Sequence, residues 1–385
     1  MYKRKRNWIE KYKFHIVPKI LPEELLSSWL TRTAFVHGRM LPLFITSYIK
    51  NEGSALSRID LDFKYDERFF AILADKSRLS LSDILKMSLR SEEGYLFACK
   101  ECLYPPKQIR KLQDKRTHFG LMFCPLCLKE DAVPYFRKKW RYLFYNACPK
   151  HQVYLVDRCG GCFERIRFHK AALNDTIAFC HNCGRDLRET RPKKVPAEYL
   201  YALQAVTWFE KGLTDGYFLI DNQKVHSLWI FQAFSILHTL LRSFENLNLS
   251  SFSLLKEYRS LRLKLRKYKS KKASPIYENL LLTAMIYHLF QNFPENFQTF
   301  ISENNLTHRD FVHGFTKVSF WYLQMINKLI PPQNTVSREI SESEVIGAVN
   351  YLKRNNRKVT QQSVAAVVGC HFSIHKGFVK IYHRL

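Results

Sequence analysis

Through most of the chain, apolar residues recur every three or four positions, the period of helices with one buried stripe. Pro22-Glu23-Glu24 places a proline and two acids where a first helical turn favours them, and Leu25, Leu26, Trp29, Leu30 and Thr33 follow at helical spacing. Gly38 is a fitting stop for that helix. A second helix is expected from Pro42 (PLFITSYIK), and a third from Ser80 or Ser82, where a serine cap precedes an acidic first turn. Short helices this close together read as a tri-helical unit of helix-turn-helix type or as an ordinary helical bundle. Farther on the pattern predicts Tyr199–Lys211 closed by Gly212, an apolar helix over Val225–Phe244, and a basic helix with a basic tail over Leu254–Lys272. It then predicts a helix opened by Ser274-Pro275 and a last one around Phe311–Leu329 before Pro331-Pro332.

The C-terminal residues form a separate pattern of three helices, Ser341–Arg354, Thr360–Val368 and Phe372–His383. A threonine cap, a Val-Ala-Ala face, a tight turn at Gly369 and a basic last helix match a helix-turn-helix, whose last helix enters the major groove. His371, Ser373, His375, Lys376 and Lys380 then lie on that helix or at its start. A protein-docking module with a basic face has the same pattern. Residues 119–190 break the helical period altogether with Cys, Pro, Gly and His pairs, and Arg191-Pro192-Lys193-Lys194-Val195-Pro196 reads as a linker. The fold class expected is mainly α. Its parts are a basic leader (1–20), a helix-turn-helix-like domain (21–118), a tandem zinc-finger region (119–190), a helical domain (197–332) and a terminal helix-turn-helix module (338–385).

Composition narrows the function. The chain has 385 residues with Lys+Arg 61 against Asp+Glu 34, a net charge of +27. With 46% hydrophobic and 14% aromatic residues it is not a disordered polybasic tail. The charge is also uneven. Residues 1–20 carry seven basic and one acidic side chain, 101–150 eleven and four, 251–300 nine and three, and 351–385 seven and none. Four basic islands on a folded chain point to a nucleic acid or nucleoprotein partner, whereas any one of them alone could be a solvated face. The longest apolar stretch, Leu228–Leu241, is interrupted by Gln, Ser, His and Thr and is too short for a membrane span, and the leader lacks the apolar core of a secretory signal. The ten cysteines are therefore read in a reducing compartment, where metal sites outrank disulfides.

Four pairs share one two-residue gap: Cys124/Cys127, Cys148/His151, Cys159/Cys162 and Cys180/Cys183. Such a gap lets two ligands meet one ion from a single turn, and zinc takes four such ligands, so the pairs make two closed structural sites. Spacing allows sequential pairing or an interleaved cross-brace. Closed sites leave no position for a reacting water, so the metal stabilises a segment poor in apolar sequence. Between the first two pairs, Tyr135, Phe136, Trp140 and Tyr142 alternate with Arg137, Lys138, Lys139 and Arg141. The run suits phosphate contact with stacking, or else its aromatics form the finger's own core. Cys99/Cys102 lack a second pair and read as thiols outside any metal site, Cys370 reads as core, and His169 and His181 as surface residues. No glycine-rich phosphate loop, nucleophile elbow or paired-carboxylate setting is recognisable, so the chain is not expected to be an enzyme.

The run Pro22–Arg32, the block Phe123–Asp131, the run Pro134–Arg141, Cys148-Pro149-Lys150-His151 and Asp157–Cys162 occur in the order found in the TniQ/TnsD family of transposon targeting proteins. Over residues 20–190 the chain resembles that family, and more loosely thereafter. The resemblance implies a non-catalytic adaptor that binds target DNA, an RNA-guided Cascade complex, or both, and recruits an AAA+ regulator of the TnsC kind and the transposase. It also implies two zinc ions held in sequential pairs by the eight ligands, a homodimer in Cascade-riding members, and a location in the bacterial cytoplasm at the nucleoid. The DNA contacts expected are Arg137, Lys138, Lys139, Arg141, His375, Lys376 and Lys380. A zinc-containing helix-turn-helix transcription regulator is the alternative.

Overall fold

A computed structural model of the chain describes residues 13–49, 60–63, 67–98, 104–112, 121–244, 247–249, 252–267, 276–312, 319–331, 340–368 and 376–384. The protein is mainly helical and divides into two compact units, Met1–Leu329 and Ile330–Leu385.

In the first unit, α1 (Leu26–Val36) and α2 (Leu41–Tyr48) are followed by α3 (Glu67–Ser77) and α4 (Leu81–Met87). Leu26, Trp29, Leu30 and Ala34 of α1 have no exposed surface. Its hydroxyls are buried too, which they tolerate because Thr31 and Thr33 donate to the carbonyls one turn back, at 2.7 and 2.8 Å. The expected start at Pro22-Glu23-Glu24 is displaced to Leu26. Glu23 takes a left-handed φ of 55°, and Glu24 is buried, accepting from Ser28 Oγ and Arg32. Ser80 caps α4 as its sequence predicts, with its Oγ accepting from the Asp83 amide at 3.0 Å.

Residues 121–196 hold one short helix, α5 (Pro125–Glu130), several 3-10 turns and the hairpin β1 (Ala147–Cys148)/β2 (Val153–Tyr154), paired antiparallel with Ala147 opposite Tyr154. The expected linker at 191–196 is pinned instead. The Tyr154 amide donates to the Lys193 carbonyl at 2.9 Å, the Val195 amide donates to the Gln152 carbonyl at 2.8 Å, and Val195 is buried. Extended backbone beside β2 satisfies its own amides there, which fixes it in place.

The rest of this unit is a helical block: α6 (Leu200–Asp215), the hairpin β3 (Tyr217–Ile220)/β4 (Gln223–His226), α7 (Ser227–Ser243), α8 (Leu255–Lys267), α9 (Ile276–Phe290), α10 (Glu295–Glu303), α11 (His308–Val312) and α12 (Phe320–Leu329). α9 packs against α6, α7, α8 and α10 and is buried on nearly every side, so its sequence lacks a polar stripe. Gly212 does not close α6. The helix runs on to Asp215 and stops at Gly216, whose φ of 78° is the left-handed cap. Gly212 is needed for another reason: a Cβ there would lie 2.1 Å from the Phe218 ring of β3. The β3/β4 turn has positive φ at both Asp221 and Asn222, the two-residue hairpin geometry these side chains tolerate.

The second unit contains α13 (Glu342–Arg354), α14 (Gln361–Val368) and α15 (Lys376–Tyr382). A capping box joins Ser341 and Glu344 at the start of α13, and the Ser363 amide donates to Thr360 Oγ1 at the start of α14. Val345, Ala348, Leu352, Val364, Ala365 and Phe378 close a core around which the three helices pack.

Candidate metal centres

The first cluster joins α5 to the β1/β2 hairpin. Cys124 precedes α5, Cys127 lies in its first turn, Cys148 ends β1, and His151 sits in the turn before Gln152, whose φ of 52° reverses the chain. His151 Nδ1 lies 3.4, 3.3 and 3.5 Å from the sulfurs of Cys124, Cys127 and Cys148, and the Cys127 and Cys148 sulfurs are 3.7 Å apart. The second cluster faces two knuckle turns towards each other. Cys159 and Cys183 sulfurs are 3.6 Å apart, as are those of Cys162 and Cys180, and the Gly161 and Asn182 amides donate to the Cys159 and Cys180 sulfurs. Within each set the four donor atoms lie within 4.8 Å of one another, so each could hold a metal ion. The structure groups them in sequential pairs.

These distances fit a tetrahedral ion. Metal–sulfur bonds of about 2.3 Å place sulfurs about 3.8 Å apart, and a sulfur and an imidazole nitrogen about 3.5 Å apart. Thiols packed this closely share protons. Hydrogen bonds from Cys124 and Cys127 hold the Cys148 thiol down at about 2, while hydrogen bonding to Cys124 and Cys148 drives the Cys127 thiol far up. Such a set gives up its shared protons to a cation that binds all its sulfurs.

Outside the ligands, His151 Nε2 lies 2.8 Å from Glu130 Oε1, and Lys150 Nζ donates to Glu130 Oε2 at 2.6 Å. Sequence reasoning missed Glu130, although it stands three residues after Cys127, one helical turn farther along the same α5. A carboxylate on the far imidazole nitrogen fixes the ring so that Nδ1 faces the thiols. The two sites differ in exposure: Cys124, Cys127 and Cys148 are buried, whereas Cys162 is half-buried and Cys183 exposed. His169 and His181 are half-buried rather than on the surface, and neither joins the donor sets.

Most of the aromatic and cationic run is turned inward, with Lys138 and Arg141 buried and Arg137 and Lys139 half-buried, which favours its aromatics as the segment's own core. Phe136 and Trp140 are fully buried, and Tyr142 nearly so. Arg137 forms a two-pronged pair with Asp131 at 3.0 and 2.7 Å and stacks on Tyr135. The buried Lys138 ammonium donates to Glu92 at 2.7 Å and Ser91 at 3.0 Å, and Lys139 donates to Glu210 at 2.7 Å. Arg141 has no exposure and reaches Asp60 and Asp62, while burial pushes Asp62 up to about 6 even beside that guanidinium. The physical reason is that 134–142 lies against α1: the Leu25 amide donates to the Phe136 carbonyl at 2.8 Å, and the Lys138 amide to the Glu23 carbonyl at 2.7 Å. Cations in such a position need acidic partners, and Glu92, Asp60, Asp62 and Glu210 supply them from distant parts of the sequence.

Lys380 is exposed on α15. Lys376 begins α15, and His371, Ser373 and His375 lie outside the described residues, as do Cys99, Cys102 and Cys370. Among the described residues no helix is long and apolar enough to cross a membrane.

Residues 15–155 match the TniQ family model. The match contains all four donors of the first cluster and the buried charged residues Glu24, Asp62 and Arg141, and it ends before the second cluster. No curated protein matches the chain. Residues 15–155 are similar to the TniQ domain, and that similarity suggests a transposon-associated target-selection protein.

Proposed function

We propose that the chain is a non-catalytic target-selection adaptor of a transposon, stabilised by two structural zinc ions. The observation that carries this reading is the TniQ match over 15–155, laid over a metal centre whose four donors all fall within it. Zinc is the ion best suited to one set of three thiols with an imidazole and one set of four thiols, both with tetrahedral edge lengths. Cys124, Cys127, Cys148 and His151 would hold one ion, and Cys159, Cys162, Cys180 and Cys183 the other. Both donor sets are complete, so the ions would supply fold stability rather than a reactive water.

In this reading the partners are target DNA, an AAA+ regulator of the TnsC kind, a guide-RNA Cascade complex and a second copy of the chain, at the bacterial nucleoid. The net charge of +27 supports a polyanionic partner. The three-helix second unit supports a DNA-facing role for α15 through Lys376 and Lys380. That unit is also what favours the other reading, a transcription regulator binding promoters on its own.

Reconstituted insertion decides between them. The adaptor must be required for insertion at a defined locus by the cognate ATPase and transposase. A chain that binds DNA with no effect on insertion site, and captures neither ATPase nor guide complex, is not an adaptor.

A further inference from the structure

Away from the metal centres, the first unit contains a cavity of about 470 Å³ between residues 106–111, Leu143 and the facing sides of α7 and α9. That is the size of a small-ligand site. Lys107 and Lys111 are exposed at its mouth and Arg242 reaches it from α7. None of the described residues lining it is a carboxylate. Glu278, which pairs with Arg242 at 3.5 Å, lies outside the lining. Arg110 adds charge, but its guanidinium is turned to the Tyr142 and Leu143 carbonyls and Asn146.

The inner wall carries the second observation. Asn279 is 1% exposed and lines the cavity, and its Oδ1 lies 3.0 Å from His238 Nε2. Burial holds the His238 ring down at about 4, so it is neutral at pH 7, and because its Nε2 faces an amide oxygen it is that nitrogen which carries the proton and donates. Asn279 Oδ1 is thereby taken, and its Nδ2 has no hydrogen-bond partner among the described residues. A buried amide left in that state is destabilising, and native proteins rarely keep one without use for it.

We propose that this cavity binds a phosphate-bearing group of nucleotide size, with Asn279 Nδ2 donating to a phosphate oxygen and Lys107 and Lys111 closing on the same phosphate. Cations on one side and a neutral N–H donor on the other, with no carboxylate among the described lining residues, select an oxygen-rich anion. Pro106, Ile109 and Leu143 give the remaining wall an apolar surface that suits a sugar or base. The group can be a free nucleotide or one phosphodiester unit of a nucleic acid strand, for which the chemistry is the same. The inference does not depend on the target-selection reading, because a chain that fails to direct insertion can still hold a nucleotide here.

The test is calorimetric titration of the full chain with AMP, adenosine and a twelve-residue oligothymidylate. The variants are K107E/K111E and, as a control removing equal charge from exposed positions elsewhere, K211E/K256E. Thermal melting verifies that each is folded. The expected result is that AMP binds, adenosine binds far more weakly, and K107E/K111E loses about tenfold in AMP affinity while the control changes by less than about twofold. Competition between oligothymidylate and AMP identifies a strand phosphate as the source, and its absence identifies a free nucleotide. Equal binding of adenosine and AMP, equal losses in both variants, or no binding of either AMP or oligonucleotide overturns the proposal. Asn279→Leu, if it melts like the parent, should lose AMP affinity as well, and unchanged affinity would remove the amide from the site.

Discussion

Arg141 Nη1 lies 3.0 Å from Asp62 Oδ2, and neither side chain has any exposed surface. Asp62 in turn accepts from the Ser27 amide at 2.8 Å and the Ser27 hydroxyl at 2.9 Å, so one carboxylate joins α1 to the cysteine-rich segment. Removing one partner strands the other charge in a dry environment. Arg141→Met should therefore lower stability by about 3–5 kcal/mol in urea melts. Arg141→Met with Asp62→Asn should recover part of that loss, and additive losses in the double variant would show that the pair is not coupled.

The two metal centres should separate under chelation. The second cluster exposes Cys183 and half-exposes Cys162, whereas the first buries its three thiols. A colorimetric zinc assay during EDTA treatment should show one equivalent leaving fast and one slowly. Cys162→Ser should remove only the fast equivalent. Cys127→Ser should cost the slow one and the native near-ultraviolet circular dichroism of the first unit with it.

His238 gives the acid side of the stability profile a particular shape. Its folded pKa of about 4 lies below the unfolded value of 6.5, mainly through burial, with Arg242, Arg110 and Lys107 adding repulsion and the Asn279 bond opposing it. The stabilisation from keeping the ring neutral is complete above pH 6.5 and is lost as pH falls towards 4, by up to about 2–3 kcal/mol. His238→Leu should flatten the dependence of the urea midpoint on pH across that window. An unchanged slope would mean the ring is not held neutral.

DNA association should respond to α15 and not to Lys139, whose ammonium is paired with Glu210. Lys380→Gln should reduce the salt slope of DNA binding by about one, whereas Lys139→Gln, which only unpairs Glu210, should leave it unchanged. The reverse pattern would return the aromatic and cationic run to the DNA surface.

Gly212→Ala should destabilise by about 1–3 kcal/mol, because the added methyl overlaps the Phe218 ring. Gly216→Ala acts through the left-handed backbone instead, and the double variant should be close to additive unless β3 moves as a body.

Where information was local, the sequence could be read directly. The four Cys and His pairs, the Ser80 cap, the α14 bounds and the Ser341 cap each depend on neighbours a few residues away. Where a side chain's role depends on a distant partner, spacing misleads. Lys138 and Arg141 resemble a polyanion-binding run until Glu92 and Asp62 are brought alongside them. Gly212 and Gly216 are both plausible helix stops in sequence, and only the Phe218 ring shows which one ends α6 and which makes room for a neighbour. The β3/β4 hairpin did carry a local signal, Asp221-Asn222 directly after the apolar run Tyr217–Ile220, but so short a ribbon was hidden by the helical period on both sides.

The strand-like run at Lys193 and Val195, held to Gln152 and Tyr154, removes the swivel that a Pro-Lys-Lys stretch would otherwise give. Backbone hydrogen bonds therefore tether the cysteine-rich half to the approach to α6, and loosening of the first cluster should be transmitted to that helix.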